Sequence, residues 1–236
     1  MNIQTRIAAL SLIVFASCQV KEDIHVNANN SVDRNVELHM NKEAGNKLAA
    51  MAQMAGQGDK LPLDSLAPMW NTITDSLTKN AATNNKGLTF TAGKWDTASN
   101  SGKLNFHLPD LKTYNEFANT LSQSASKTNE QMPFSGVQKQ QLEWRGKDTL
   151  VIQLNEGKGT ATGNTEEMTQ NLAMVKIMLG LDALATYKAD IHLPKAAKSI
   201  IATNATLSDD KKTVHVERVL EDVTGSSAAD EVKVIF

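Results

Sequence analysis

Residues 23–40 read Asp-Ile-His-Val-Asn-Ala-Asn-Asn-Ser-Val-Asp-Arg-Asn-Val-Glu-Leu-His-Met, and their alternation decides the fold class. Ile24, Val26 and Ala28 point one way while Asp23, His25 and Asn27 point the other. Val36, Leu38 and Met40 resume the same period after a polar turn region. A period of two with a polar linker predicts a β-hairpin with one buried and one wet face. The pattern returns in Leu88–Ala92, in Lys103–Leu108 and in the pair Gln141–Trp144 and Thr149–Leu154 around Arg145-Gly146-Lys147-Asp148. It returns again at Tyr187–Leu193, at Val214–Val219 after a turn over 208–212, and at Val232–Phe236, where the C-terminus is expected to close a sheet.

Between these strands the apolar spacing changes to three and four residues, which predicts helices. Four segments carry it: 42–55, with Leu48, Met51 and Ala55; 66–81, with Trp70, Ile73 and Leu77; 111 to about 124, with Leu111, Tyr114, Phe117 and Leu121, entered through Pro109-Asp110; and a stretch from Thr165 with Met168, Leu172, Val175 and Leu179. The expected fold is therefore α+β: an antiparallel sheet built from hairpins, with about four helices packed on it. No Pro- or Ser-rich linker divides the chain, so residues 23–236 are read as a single domain, with a helical insertion at 42–82 as its one expected departure.

With 24 Lys plus Arg against 26 Asp plus Glu and 41% apolar residues, the chain can bury a core. The same balance excludes wholesale disorder and a strongly basic nucleic-acid binder, so no nucleic-acid partner is expected.

The start of the chain has a different character. Arg6 precedes the apolar run Ile7–Phe15, which is followed by Ala16, Ser17 and Cys18, the only cysteine. The run is too short for a permanent membrane span and has the proportions of an export signal. The tetrad Phe15-Ala16-Ser17-Cys18 resembles the lipobox of bacterial lipoproteins, with Phe15 in place of the usual Leu. The resemblance implies a signal peptide over 1–17, lipid on the Cys18 thiol, including palmitate, and a tether over 18–22. Acyl chains contribute roughly 0.8 kcal/mol per buried methylene, so two or three hold a protein durably at a membrane. From Cys18 onward the chain has no second cysteine, so packing alone must hold the fold although disulfides are permitted outside the cytosol. Gln19 stands where an inner-membrane retention signal has Asp, which favours the outer membrane. Lys21-Glu22-Asp23 resembles the charged surface-export signal of Bacteroidetes lipoproteins.

The two ends also look like the uncharacterised lipoprotein domains of the LppM-like group: the strand at Asp23–Ala28, and Tyr187–Pro194 (YKADIHLP) leading into Ser208–Val216 (SDDKKTVHV). The resemblance implies an envelope-associated α+β domain that begins and ends in hairpins. It transfers no catalytic residue and leaves the middle from Lys42 to Gly180 unmatched.

Motifs for chemistry are sparse. His25, His39, His107, His192 and His215 all fall in expected strands, mostly on the polar face, and none has a second ligand at helical spacing; ligands for zinc can converge from separate strands, but exposed strand histidines are the better reading and no metal site is assigned. The Gly-rich segment Glu156–Asn164 lacks the Lys-Ser/Thr pair of a phosphate loop. Asp209-Asp210 and Glu221-Asp222 lack EF-hand spacing. Neither a G-x-S-x-G elbow nor an H-E-x-x-H helix occurs. No cofactor and no catalytic residue are assigned. The candidate binding surface comprises Trp95, in a loop between Lys94 and Asp96, and Trp144 with Arg145 at a hairpin turn. The expected function is a membrane-anchored envelope lipoprotein presenting a non-catalytic domain for an envelope protein, a glycan or a lipid. A hydrolase of envelope or external polymers and a structural component of an envelope assembly are the alternatives.

Overall fold

The computed structural model describes residues 18–43, 46–47, 67–68, 70–71, 74–75, 77–78, 87–127, 139–155, 177, 186–219 and 230–236. The alternation of residues 23–40 becomes the hairpin of β1 (Cys18–Val26) and β2 (Val32–Met40), paired antiparallel with Ile24 opposite Arg34. Asn30 turns it at a φ of 68°, a left-handed conformation that Asn tolerates better than most residues. Asn27 steadies the turn, its Nδ2 donating to Asp33 Oδ2 at 2.8 Å.

β1 and β2 lie in a seven-stranded sheet. The other members are β3 (Thr89–Ala92), β4 (Ser101–Leu108), β7 (Thr186–His192), β9 (Ala205–Leu207) and β10 (Thr213–Val219), in the order β3-β4-β2-β1-β7-β10-β9. Its neighbours run antiparallel except β1 and β7, which are parallel. A second, antiparallel sheet takes β5 (Lys139–Arg145), β6 (Thr149–Asn155), β8 (Ser199–Ile201) and β11 (Asp230–Ile235) in the order β5-β6-β11-β8.

The inner face of the large sheet carries Ile24, Val36, Leu104, Phe106, Ile191 and Val214. These form one apolar core with Leu142, Leu150, Ile152, Leu154, Val232 and Val234 of the small sheet. Helix α1 (Leu111–Lys127) joins the two. Asp110 caps its start, accepting from Thr113 N at 2.7 Å, and that backbone bond holds the Asp110 carboxyl below the usual range. Phe117 packs on Phe106 of β4, with ring centroids 4.9 Å apart. Asn115 covers the free edge of β5, donating to Leu142 O and accepting from Leu142 N, each at 2.9 Å.

The α+β class stands, but the expectation of one antiparallel sheet with about four helices on it does not. Among the described residues one helix is traced from end to end, and the strands form two sheets, the larger of them mixed. The segments 42–55 and 165–184 lie mostly outside the described residues. Within 66–81, Trp70 and Leu77 are helical and buried. The physical reason is that alternation marks a strand face for burial without specifying what buries it. Here a second sheet does much of what helices were expected to do. β8 and β9 were not anticipated, since three residues are too few to show a period.

β1 begins at Cys18, so residues 18–22, read as a tether, lie in strand backbone. Glu22, read as part of an export signal, is buried. Its Oε2 accepts from Arg34 Nε at 3.1 Å and its Oε1 from Arg34 Nη2 at 2.5 Å. Arg34 also sits over the Tyr114 ring, 5.8 Å from its centroid. Burial works against the guanidinium charge, but Glu22 and the tyrosine environment more than offset it, and the Arg34 pKa is raised. Burial pushes the Tyr114 and Tyr187 phenols up, and for both the Glu22 charge adds to the effect. An isolated buried charge is far more costly than a paired one. Arg34→Met alone is therefore expected to destabilise the domain by about 3–5 kcal/mol in urea unfolding, whereas Glu22→Leu combined with Arg34→Met recovers most of the loss. A double variant no more stable than the single one would show that the charges are not what couples these positions.

Trp70 closes the core near β3 and β4. Its Nε1 donates to Gly93 O at 2.8 Å, and its ring lies so close on Gly102 that a Cβ there would come 2.5 Å from Trp70 Cζ2. Gly102→Ala is expected to cost about 1–3 kcal/mol and to shift the tryptophan emission as Trp70 is displaced. Gly93→Ala, whose added Cβ meets only ordinary contacts at 3.7 Å or more, is the matched control and is expected to stay within about 0.5 kcal/mol.

Candidate functional site

Residues that alternate with the core positions of the large sheet face outward, and the strand register sorts them into rows. Across β4, β2, β1, β7 and β10 one row runs His107, Asp33, His25, His192 and Thr213. The next runs Asn105, Asn35, Asp23, Asp190 and His215 over the same strands. A third, nearer the Cys18 end, is charged throughout, with Lys103, Glu37, Lys21, Lys188 and Glu217 in turn and Lys188 Nζ 2.8 Å from Glu217 Oε1.

Four histidines in the first two rows each meet a carboxylate. His107 Nδ1 is 2.6 Å from Asp33 Oδ1, and His215 Nδ1 is 2.6 Å from Asp190 Oδ1. Asp23 lies between two imidazoles, with His25 Nε2 2.5 Å from Oδ1 and His192 Nε2 3.4 Å from Oδ2. The His25 and His192 rings are stacked, with centroids 4.1 Å apart and planes inclined by 11°. On the far side of His192, Nδ1 is 3.2 Å from Thr213 Oγ1. The hydrogen bond from His107, then that from Asn27, holds the Asp33 carboxyl below its usual range.

Thr213, His192 and Asp23 stand in line as hydroxyl, imidazole and carboxylate. The backbone around them, however, is committed to the β1–β7 and β7–β10 ladders and is not free to supply the paired N–H donors that stabilise an oxyanion.

The residues singled out from the sequence fall in separate places. Cys18 starts β1 opposite Met40. Trp95 is half-buried against Trp70, with ring centroids 5.5 Å apart, and its Nε1 is shut away from solvent without a hydrogen-bond partner among the described residues. Trp144 packs on Phe236 at 5.3 Å and donates from Nε1 to Asn30 Oδ1 at 3.0 Å. Arg145 is held by Glu231 at 3.0 and 3.3 Å; Lys233 first and Arg145 second keep the Glu231 carboxyl below its usual range. Trp144 adjoins Asn30 at the β1–β2 turn, whereas Trp95 precedes the Asp96–Ser101 bridge near Met40, at the other end of β2. Nine strand residues separate the two ends by roughly 27 Å, so the tryptophans do not share one patch. The segment 156–164 lies outside the described residues.

The histidines were read from the sequence as polar-face strand residues, whereas the rows they form with the aspartates were not singled out. Their only local signal is the placement of each histidine on the polar face of an alternating strand. Which histidine meets which aspartate depends on pairings such as β1 with β7, far apart along the chain.

No family model matches the chain, and no curated protein matches it. Among solved structures, the folded domain of the Mycobacterium tuberculosis LppM protein, determined by NMR, is weakly similar, with 9% identity over 93% of this chain and 90% of that one and a TM-score of 0.45. A likeness of that strength carries no residue role or function across.

The Asp33 geometry sets a pH dependence. A carboxyl whose folded pKa lies below its unfolded one contributes stability that is complete above the unfolded pKa and lost as pH falls through the folded pKa. Because Asp33 and His107 are exposed, solvent screening keeps the effect small. Asp33→Asn is expected to cost less than about 1 kcal/mol near pH 7, and progressively less as pH falls through the lowered folded pKa, below which the carboxyl is protonated in both states. Urea titrations at neutral pH and over a series of acid pH values check it; a cost that does not change with pH would assign the effect to packing.

Proposed function

We propose that this chain is a lipid-anchored protein of the bacterial envelope, held in the outer membrane, whose domain binds a partner or ligand without transforming it. The observation that carries the reading is the coincidence at Cys18: the one thiol of the chain ends the signal-like stretch and is also the first residue of β1. In this reading the lipid is attached directly to a central strand of the large sheet, with no slack between anchor and domain. His25, seven residues along β1, is then up to roughly 23 Å from the attachment point, which leaves the outer rows open to the surrounding compartment. No helix among the described residues is long and apolar enough to cross a membrane, and the acyl chains take the anchoring role here. An envelope protein or a glycan is the partner class this placement favours.

Labelling with a palmitate analogue tests the anchor. The full chain expressed in a Gram-negative host is expected to take up label and partition with outer-membrane lipids, and Cys18→Ala is expected to lose the label and remain unprocessed. Label retained by Cys18→Ala would overturn the reading, as would an unlabelled chain exported in soluble form.

A further inference from the structure

We propose that Asp23, His25 and His192 form a binding site for a divalent transition-metal ion of the zinc class on the outer face of the large sheet. The inference deepens the binding half of the reading above and does not rest on the anchor.

The first argument is convergence. His25 and His192 are register partners on the parallel pair β1 and β7, and Asp23 lies two residues before His25 on the same face. One donor atom from each of the three lies within 4.8 Å of the other two, and the donors stand on adjacent hydrogen-bonded strands, so little conformational freedom remains to be lost on binding.

The second argument is an unmet need at Asp23. Its Oδ1 is shielded from solvent and has no hydrogen bond among the described residues, although His25 Nε2 lies 2.5 Å away. A carboxylate oxygen and an imidazole nitrogen this close need a proton between them in a well-directed bond; to share a zinc ion they move apart to about 3.3 Å, the spacing of two donors around one ion. The direction of a good hydrogen bond is missing here.

The third argument is orientation from outside the cluster. His192 Nδ1 faces Thr213 Oγ1 at 3.2 Å. If Nδ1 carries the proton and donates it to the hydroxyl, the Nε2 lone pair is left toward Asp23. A partner on the non-ligating nitrogen is the usual device for setting a metal-binding imidazole. Asp33, opposite His25, and Asp190, opposite Asp23, add negative charge beside the cluster.

Two imidazoles and one carboxylate select for zinc and its neighbours, because magnesium and calcium prefer all-oxygen shells. An ion lies near the plane of each imidazole that binds it, so with His192 held by Thr213 the His25 ring must turn about its Cβ–Cγ bond to converge on the ion. The outward side stays open, and water completes the coordination, as in three-ligand zinc sites.

The test uses the full chain without a histidine tag, purified from whichever cell fraction contains it and titrated with zinc chloride in a calorimeter. One ion per chain is expected, with micromolar affinity, and magnesium at the same concentration is expected to give no heat of binding. His25→Ala, His192→Ala and Asp23→Asn should each weaken binding at least about tenfold, while His39→Ala changes it less than about threefold. Thr213→Val should weaken it by about tenfold or more and Thr213→Ser restore it, which identifies Thr213 as a positioning residue. Cobalt in place of zinc should give visible ligand-field absorption that His192→Ala abolishes while the circular dichroism is unchanged. No zinc binding at micromolar concentrations would overturn the site, and so would binding that survives both His25→Ala and His192→Ala. Because the readout is metal binding, its failure leaves lipid attachment at Cys18 untouched, and loss of the Cys18 label leaves this site untouched.

Discussion

Glu22 and Arg34 carry opposite charges into the apolar interior between the two sheets, held together by two hydrogen bonds, and the rest of the structure is arranged around them. Each alone would be untenable there; together they require β1 and β2 to meet in one register. A strand displaced by one residue exchanges its faces. Such a slip in β1 would bury Asp23 and His25 and leave Arg34 without its carboxylate. Tyr114 from α1 lies under the guanidinium, and Tyr187 from β7 lies in the field of Glu22, so a helix and a strand distant along the chain are tied to the same point. Tyr114 also donates to Gln140 Oε1 at 3.2 Å, which extends the polar contacts to the small sheet.

What is settled on the inside settles the outside. With Glu22, Ile24 and Val26 turned inward, Asp23 and His25 must turn out. With Tyr187, Ala189 and Ile191 inward, Asp190 and His192 turn out beside them. The stacked imidazoles and the carboxylate that meets the Nε2 of each are thus a consequence of core packing. Their placement on paired strands of a seven-stranded sheet, and not on a loop, gives them the fixed spacing that a small ligand such as an ion requires.

The hairpins were legible because they are local. Asp23–Met40, the Arg145–Asp148 turn and the start of α1 at Pro109-Asp110 each announce themselves within a few residues, and the structure has strands or a helix at all three. Glu22 was not legible as a core residue. In the sequence it lies between Lys21 and Asp23 and reads as part of a solvated charge run; only Arg34 across the hairpin makes its burial tolerable. Trp95 shows the converse: flanked by Lys94 and Asp96 it reads as an exposed loop aromatic, but it leans on Trp70 from a distant segment.

By itself the sequence determined where the chain extends, which face of each strand is apolar, where the hairpins turn, and that one thiol follows a signal-like apolar run. Those properties follow from side-chain periodicity and from the conformational preferences of Pro, Gly, Asn and Asp, all felt over a few residues. The tertiary structure alone decided that a second sheet covers the first, that β1 takes β7 as its parallel neighbour, that Glu22 finds Arg34, and that His25 stands beside His192. These are choices among partners distant in the chain. They are set by which pairings bury the most apolar surface while leaving no buried charge alone, a balance of the whole fold that no short stretch contains.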